Sequence, residues 1–153
     1  MLSVYDYISI SVVLVYIAPT ILYFYTHNLR EIIAIAGLVG SNLISEGIKH
    51  IIIGTRSPRP DGASGCNLLC TDGLQKGRPG MPSGHSGTVS FFVGYYWNET
   101  NTVWIKTALL VFAVLIMYSR YVKRCHSLQQ IIAGALFGLG MSQLVKYLYK
   151  LYL

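Results

Sequence analysis

Pro82-Ser83-Gly84-His85 lies between two other polar groups in a largely apolar chain. Before it come Lys49 and Arg56, with six residues between them, and a second arginine at Arg59. After it come Ser119-Arg120, five further residues, and His126. Cations gathered around two histidines describe an anion site. Arginine binds a phosphate through a forked pair of charge-assisted hydrogen bonds, and lysine acts as a point charge. A helix starting at Ser83 adds free N–H groups and the positive end of its dipole. Gly84 lets an oxygen approach the main chain closely. Two imidazoles near pKa 6.5 can divide nucleophile and acid roles near neutral pH. The chemistry in view is transfer of a phosphoryl group to a histidine, with the cations holding the charge of the in-line transition state.

The elements that must position these residues are membrane helices. Of 153 residues, 53% are hydrophobic and 12% charged, against about 25% charged in soluble domains. A helix crossing a bilayer needs about 20 mostly apolar residues, and about five segments qualify. They run from about Val4 to Tyr25, Ile32 to Ile53, Ser83 to Trp97, Val103 to Tyr121 and Ser127 to Tyr147. The third is short and only marginally spans. The first lacks a basic start and a cleavage site, so it reads as a retained helix. The expectation is one all-α, polytopic membrane domain over residues 1–153. One long loop, 54–82, is rich in Gly, Pro, Cys and Asp, and long loops are often functional. Alternating the five crossings puts Lys49, Arg56, Arg59, His85, Arg120 and His126 on one face of the membrane. Ionisable groups there are costly and commonly functional.

The three groups resemble the signature of the type 2 phosphatidic acid phosphatase family. That signature reads Lys, six residues, Arg-Pro; then Pro-Ser-Gly-His; then Ser-Arg, five residues, His, three residues, Asp. The resemblance covers about residues 46–140. It implies His126 as nucleophile and His85 as general acid. It implies phosphate binding by Lys49, the loop arginine, Ser83, the Gly84 amide and Arg120, with no metal or other cofactor. It also implies six helices, one more than counted here, and a site on the lumenal or outer face.

The chain departs from the signature twice. Arg56 keeps the spacing from Lys49 but is followed by Ser57, whereas the Arg-Pro pair is Arg59-Pro60; both arginines stand as candidates. The position of the family Asp holds Gln130, which shares a helix face with His126. A glutamine carbonyl can accept the ring N–H and fix the tautomer, but it carries no charge. The dolichyl pyrophosphate branch resembles this chain in having Gln there. A pyrophosphate leaves more readily than an alkoxide, which turns the expected substrate toward a polyprenyl pyrophosphate.

Other residues carry blander readings. Lys49 alone would do as a snorkelling helix-end lysine, and Glu46 as its neutraliser. Gly134 and Gly138 form a Gly-x-x-x-Gly pair suited to close helix packing. Cys66 and Cys70 are spaced to form a disulfide if their side is oxidising, leaving Cys125 as the odd thiol. No zinc ligand set is present. The net charge of +6 comes largely from the phosphate site and helix ends, so nucleic acid is not an expected partner. Positive-inside counting gives a near tie; with the site outside, the Asn98-Glu99-Thr100 sequon lies in the cytosol, unmodified. The expected partners are membrane lipids and a lipid phosphate or pyrophosphate substrate. Oligomeric state is left open. The rival from another class is a non-catalytic lipid-phosphate binder that kept the pocket.

Overall fold

The computed structural model describes residues 2–152. The described residues form five helices: α1 (Val4–Thr26), α2 (Leu29–Arg56), α3 (Gly84–Tyr96), α4 (Val103–Val122) and α5 (Leu128–Tyr152). No strand forms among the described residues beyond two isolated β-bridges in the loop between α2 and α3. The all-α bundle read from hydropathy is the architecture observed. Local chemistry sets several helix ends. Ser3 and Asp6 form a reciprocal capping box at the start of α1, satisfying two orphan N–H groups. Asn28 caps α2 by accepting from the Arg30 N–H at 3.0 Å, so that helix starts a few residues before its apolar run.

Four helices are long and apolar enough to cross a membrane: α1, α2, α4 and α5. Their outward faces carry Leu14, Ile21, Leu43, Val111, Val114 and Leu136, all exposed. In water such a surface would aggregate; in lipid it is the expected contact face. The remaining helix, α3, has only 13 residues, about 20 Å at 1.5 Å per residue. It is buried almost all round, with Val89, Phe91 and Tyr95 at its centre. A helix enclosed by longer neighbours needs no lipid-matched length.

Backbone contact fixes α3 against α5. A Cβ on Gly138 would sit 2.0 Å from the Gly87 carbonyl oxygen, and one on Gly134 would sit 2.4 Å from that of Ser83. Only glycine permits this approach. One direct bond also crosses the contact, from the Ser83 N–H to the Gln130 carbonyl at 3.0 Å. The Pro-Ser-Gly-His turn is thereby held beside the first turn of α5, next to His126.

The loop between α2 and α3 is ordered by its own bonds. Arg59 N–H donates to the Arg78 carbonyl at 2.8 Å, Gln75 N–H to Ala63 at 2.8 Å, and Gly80 N–H to Ser57 at 3.0 Å. The bridges Pro58–Pro79 and Ser64–Leu74 run antiparallel, so the segment doubles back on itself. A disulfide joins Cys66 to Cys125, residues 59 apart in sequence. This corrects the Cys66–Cys70 pairing suggested by proximity in sequence. The doubled-back loop carries Cys66 to the α4–α5 turn, while Cys70 keeps a free thiol beside the Lys123 ammonium at 2.8 Å.

Chain entropy for such a cross-link is worth about 4 kcal/mol in a soluble protein. Here that is an upper figure, because membrane insertion already restricts the helices. Cys66→Ser is expected to lower the melting temperature in detergent and to cut turnover about tenfold by loosening the loop, an estimate in line with the cost of misplaced catalytic groups. Cys70→Ser is expected to change neither. Peptide mapping that finds Cys66 joined to Cys70, or a Cys66→Ser protein equal to wild type in both measurements, would overturn this.

Candidate active site

Four elements bring the motif residues to one end of the bundle. Lys49 lies in a π-helical turn, Ile48–Ile53, near the end of α2; such turns recur at functional sites. Arg59 comes from the loop, Gly84 and His85 from the first turn of α3, and His126 from the link into α5. These five residues line one cavity of about 490 Å³. One wall is formed by Val12, Tyr16, Val39 and Leu43, from α1 and α2.

The structure separates the two candidate arginines. Arg59 lines the cavity and is half-buried, with one Nη donating to the Cys125 carbonyl at 3.4 Å. Arg56 is exposed and lies outside the lining. The helix persists through Gly54–Arg56 before the chain turns inward, so the residue at the signature spacing points away and the Arg-Pro pair faces in.

Arg120 and Ser83 stand behind the cavity wall. Arg120 is fully buried, and its Nη atoms donate to the Ser9 hydroxyl at 2.6 Å and to the Cys66 carbonyl. It thus ties α1 and the loop to α4. Ser83 is also fully buried; it caps α3 and accepts from the Ser86 hydroxyl at 3.0 Å. Three of the four buried side-chain polar atoms without a partner belong to motif residues: Arg59 Nε, His85 Nε2 and Arg120 Nε. The fourth is Ser45 Oγ. Buried donors rarely stay unpaired without a reason. Their gathering beside Lys49 is what an anion site requires.

His126 is almost fully buried, and its Nδ1 lies 2.8 Å from the Gly80 carbonyl oxygen. A carbonyl can only accept, so the bond places the proton on Nδ1 and leaves the lone pair on Nε2. Nε2 is therefore the nitrogen that a nucleophilic role would use. The expected contact from Gln130 to this ring is not made. Gln130 Nε2 donates to the Ser57 carbonyl at 3.2 Å, the Ser57 hydroxyl at 3.0 Å and the Pro58 carbonyl at 2.9 Å. Its Oε1 accepts from the Ser127 N–H at 3.1 Å. The side chain faces the loop, with Gly80 between it and the ring.

Glu46 and Asp72 also line the cavity, and only the first drew notice in the sequence, as a neutraliser of Lys49. Glu46 does pair with Lys49, and with His50 at 3.3 Å. Its Oε1 lies 3.4 Å from where a Cβ on Gly84 would be, close to the anion position. Asp72, 72 residues into the chain and inside the loop, has no motif around it that could have marked it.

Burial pushes the His126 pKa well below its usual value, and the cations Arg120, Arg59 and Lys49 push it the same way, against the Gly80 bond. Burial also lowers the Arg59 pKa. A depressed imidazole pKa keeps the ring neutral as pH falls below 6.5, so the free enzyme stays competent for attack there. The acid limb of kcat/KM, which reports the free enzyme, is expected below pH 6.5. Removing a nearby cation must raise the pKa. With one substrate throughout, the limb is expected to move to higher pH in Arg59→Gln. A limb that stays put, or moves down, would remove His126 as its source.

The fold and the cavity define a class: an integral-membrane helical bundle with a cavity at one end lined by cations and two histidines. The family model of the PAP2 superfamily matches residues 30–152, and the chain belongs to that superfamily. Its members are generally phosphatases, which supports a phosphoric ester hydrolase. No curated protein and no solved structure matches the chain.

Proposed function

We propose that this protein is a membrane phosphatase that hydrolyses a lipid-linked phosphate or pyrophosphate through a phosphohistidine. The observation that carries the reading is the pair of unpaired buried nitrogens, Arg59 Nε and His85 Nε2, on residues lining a cavity that also holds Lys49 and His126, with Arg120 Nε unpaired behind its wall. The phosphoryl group docks among Lys49, Arg59 and the first turn of α3, where the Gly84 amide adds a donor; Arg120 and Ser83 support that cradle from behind the wall. His126 Nε2 attacks phosphorus in line. The P–O bond to the leaving group breaks, and His85 gives that oxygen a proton. Water then attacks the phosphohistidine, losing its proton to His85, and inorganic phosphate departs. The cations supply the charge that the transferring group needs.

The apolar wall of Val12, Val39 and Leu43 suits a lipid tail entering between α1 and α2. An uncharged carbonyl at Nδ1 stabilises the imidazolium less than a carboxylate would, which favours a good leaving group. A polyprenyl pyrophosphate fits that need better than phosphatidic acid. The Cys66–Cys125 bond favours a site on an oxidising side, lumenal or outer. A second reading, a non-catalytic lipid-phosphate binder, is favoured by one observation: both Nη atoms of Arg120 are taken by protein acceptors.

Phosphate release from a detergent-solubilised panel separates the readings. The panel holds phosphatidic acid, phosphatidylglycerol phosphate and polyprenyl pyrophosphates. Release is expected fastest from the pyrophosphates, undiminished by excess chelator and inhibited by vanadate. Binding without release from any member would leave the binder.

A further inference from the structure

We infer that the main-chain carbonyl of Gly80 is the group that orients His126, and that Gln130 is a positioning residue acting on it through Ser57. The inference rests on His126 being the nucleophile of the proposed phosphatase. Four links form the chain. Gln130 Nε2 donates to both oxygens of Ser57 and to the Pro58 carbonyl. The Ser57 carbonyl accepts from the Gly80 N–H at 3.0 Å. The Gly80 carbonyl accepts from His126 Nδ1 at 2.8 Å. Gln130 is itself anchored, its Oε1 taking the Ser127 N–H next to His126. The loop therefore closes a ring of hydrogen bonds that starts and ends on the α4–α5 link.

Steric fit points the same way. A Cβ on Gly80 would lie 2.7 Å from both terminal atoms of the Gln130 amide. The φ of Gly80 lies outside the left-handed region, so its backbone tolerates alanine and only the packing forbids it. Glycine is needed because the peptide is clamped between the amide of Gln130 and the ring of His126. A signature reader looking for a side chain four residues after the histidine finds Gln130 and stops there. The acceptor that the ring uses comes from 46 residues upstream and has no side chain to recognise.

Two variants and their combination test this, with the ¹⁵N spectrum of the His126 imidazole and the split between kcat and KM as readouts. In wild type the spectrum should show Nδ1 protonated and Nε2 bare. Gly80→Ala should drive the carbonyl off the ring, mix the tautomers and lower kcat about a hundredfold with little change in KM, since about 1 Å of misplacement can cost that much. Gln130→Ala should mix the tautomers and lower kcat by releasing Ser57. The double variant should be no worse than the poorer single one, because both act through one linkage. Ser57→Ala keeps the carbonyl but loses one of the three bonds from Gln130, so it should lower kcat less than Gln130→Ala does and add nothing to it when the two are combined. It serves where Gly80→Ala misfolds, and a multiplicative loss there would equally overturn the inference. An Nε2-protonated ring in wild type, or multiplicative losses in the double variant, would overturn the inference. A wild type with the expected tautomer that releases no phosphate would instead overturn the phosphatase reading and uphold the positioning.

Discussion

His126→Ala is expected to abolish phosphate release, with turnover down about 10⁴-fold or more, as when an enzyme loses its nucleophile. The argument starts from the proton on Nδ1, fixed by the Gly80 carbonyl. Nε2 is left with a lone pair in a cavity shared with Lys49 and Arg59. Burial and three cations keep the ring neutral, so no proton must be removed before attack. A phosphoramidate formed there is labile in acid and stable in base. Brief incubation with ³²P-labelled substrate should give wild type a label with that profile, and His126→Ala none. His85→Ala separates the roles. A pyrophosphate leaves without much help from an acid, so that variant should still take up label but lose it slowly, because no base remains to activate water. Label in His126→Ala, or release near the wild-type rate, would move the nucleophile elsewhere. Melting temperature in detergent checks that the substituted protein is folded.

Helices and motifs were legible in the sequence because their signals are local. Hydropathy marks α1, α2, α4 and α5, since each must satisfy its own backbone in lipid and present an apolar face. The caps at Ser3 and Asn28 are also made within a few residues, but hydropathy alone sets the start of α2 at Ile32 and passes over Asn28. The short α3 was legible as marginal, and its burial explains why 13 residues suffice. Alternating the crossings was enough to bring Lys49, His85 and His126 to one end. The loop was not legible in the same way. Its conformation depends on bonds between residues far apart, such as Arg59 to Arg78 and Gln75 to Ala63, and no periodicity encodes them. The choice between Arg59 and Arg56, the partner of Cys66 and the acceptor for His126 all depend on that loop. Spacing along the chain misdirects in each case. Arg56 holds the signature spacing and faces out; Cys70 is near Cys66 in sequence, yet Cys125 is bonded to it.

Gln130→Asp would recreate the family signature, and it is expected to damage this enzyme. The aspartate is one methylene shorter and has no N–H to offer. Three bonds to Ser57 and Pro58 would be lost, leaving the Pro58 carbonyl without its donor and the Ser57 carbonyl with the Gly80 N–H alone, both facing a carboxylate on the buried Gln130 position. Unpaired buried acceptors cost about 1–3 kcal/mol each, and a buried unpaired charge costs more. The Ser57 carbonyl would no longer be held where it takes the Gly80 N–H, and the Gly80 carbonyl would drift from Nδ1. A loss of about a hundredfold in kcat is expected, in line with the cost of displacing a catalytic group by about 1 Å, together with a lower melting temperature. KM should change less than kcat, because Lys49 stands on α2 and Arg59 keeps its own bonds to the Arg78 and Cys125 carbonyls. The opposing possibility is concrete. If the carboxylate reached the ring directly, it would replace a neutral acceptor with a charged one and stabilise the imidazolium, raising activity toward monoesters most. Turnover of Gln130→Asp at or above wild type would show that the loop carbonyl is dispensable. A hundredfold loss with an intact KM would show that this chain orients its histidine through the loop.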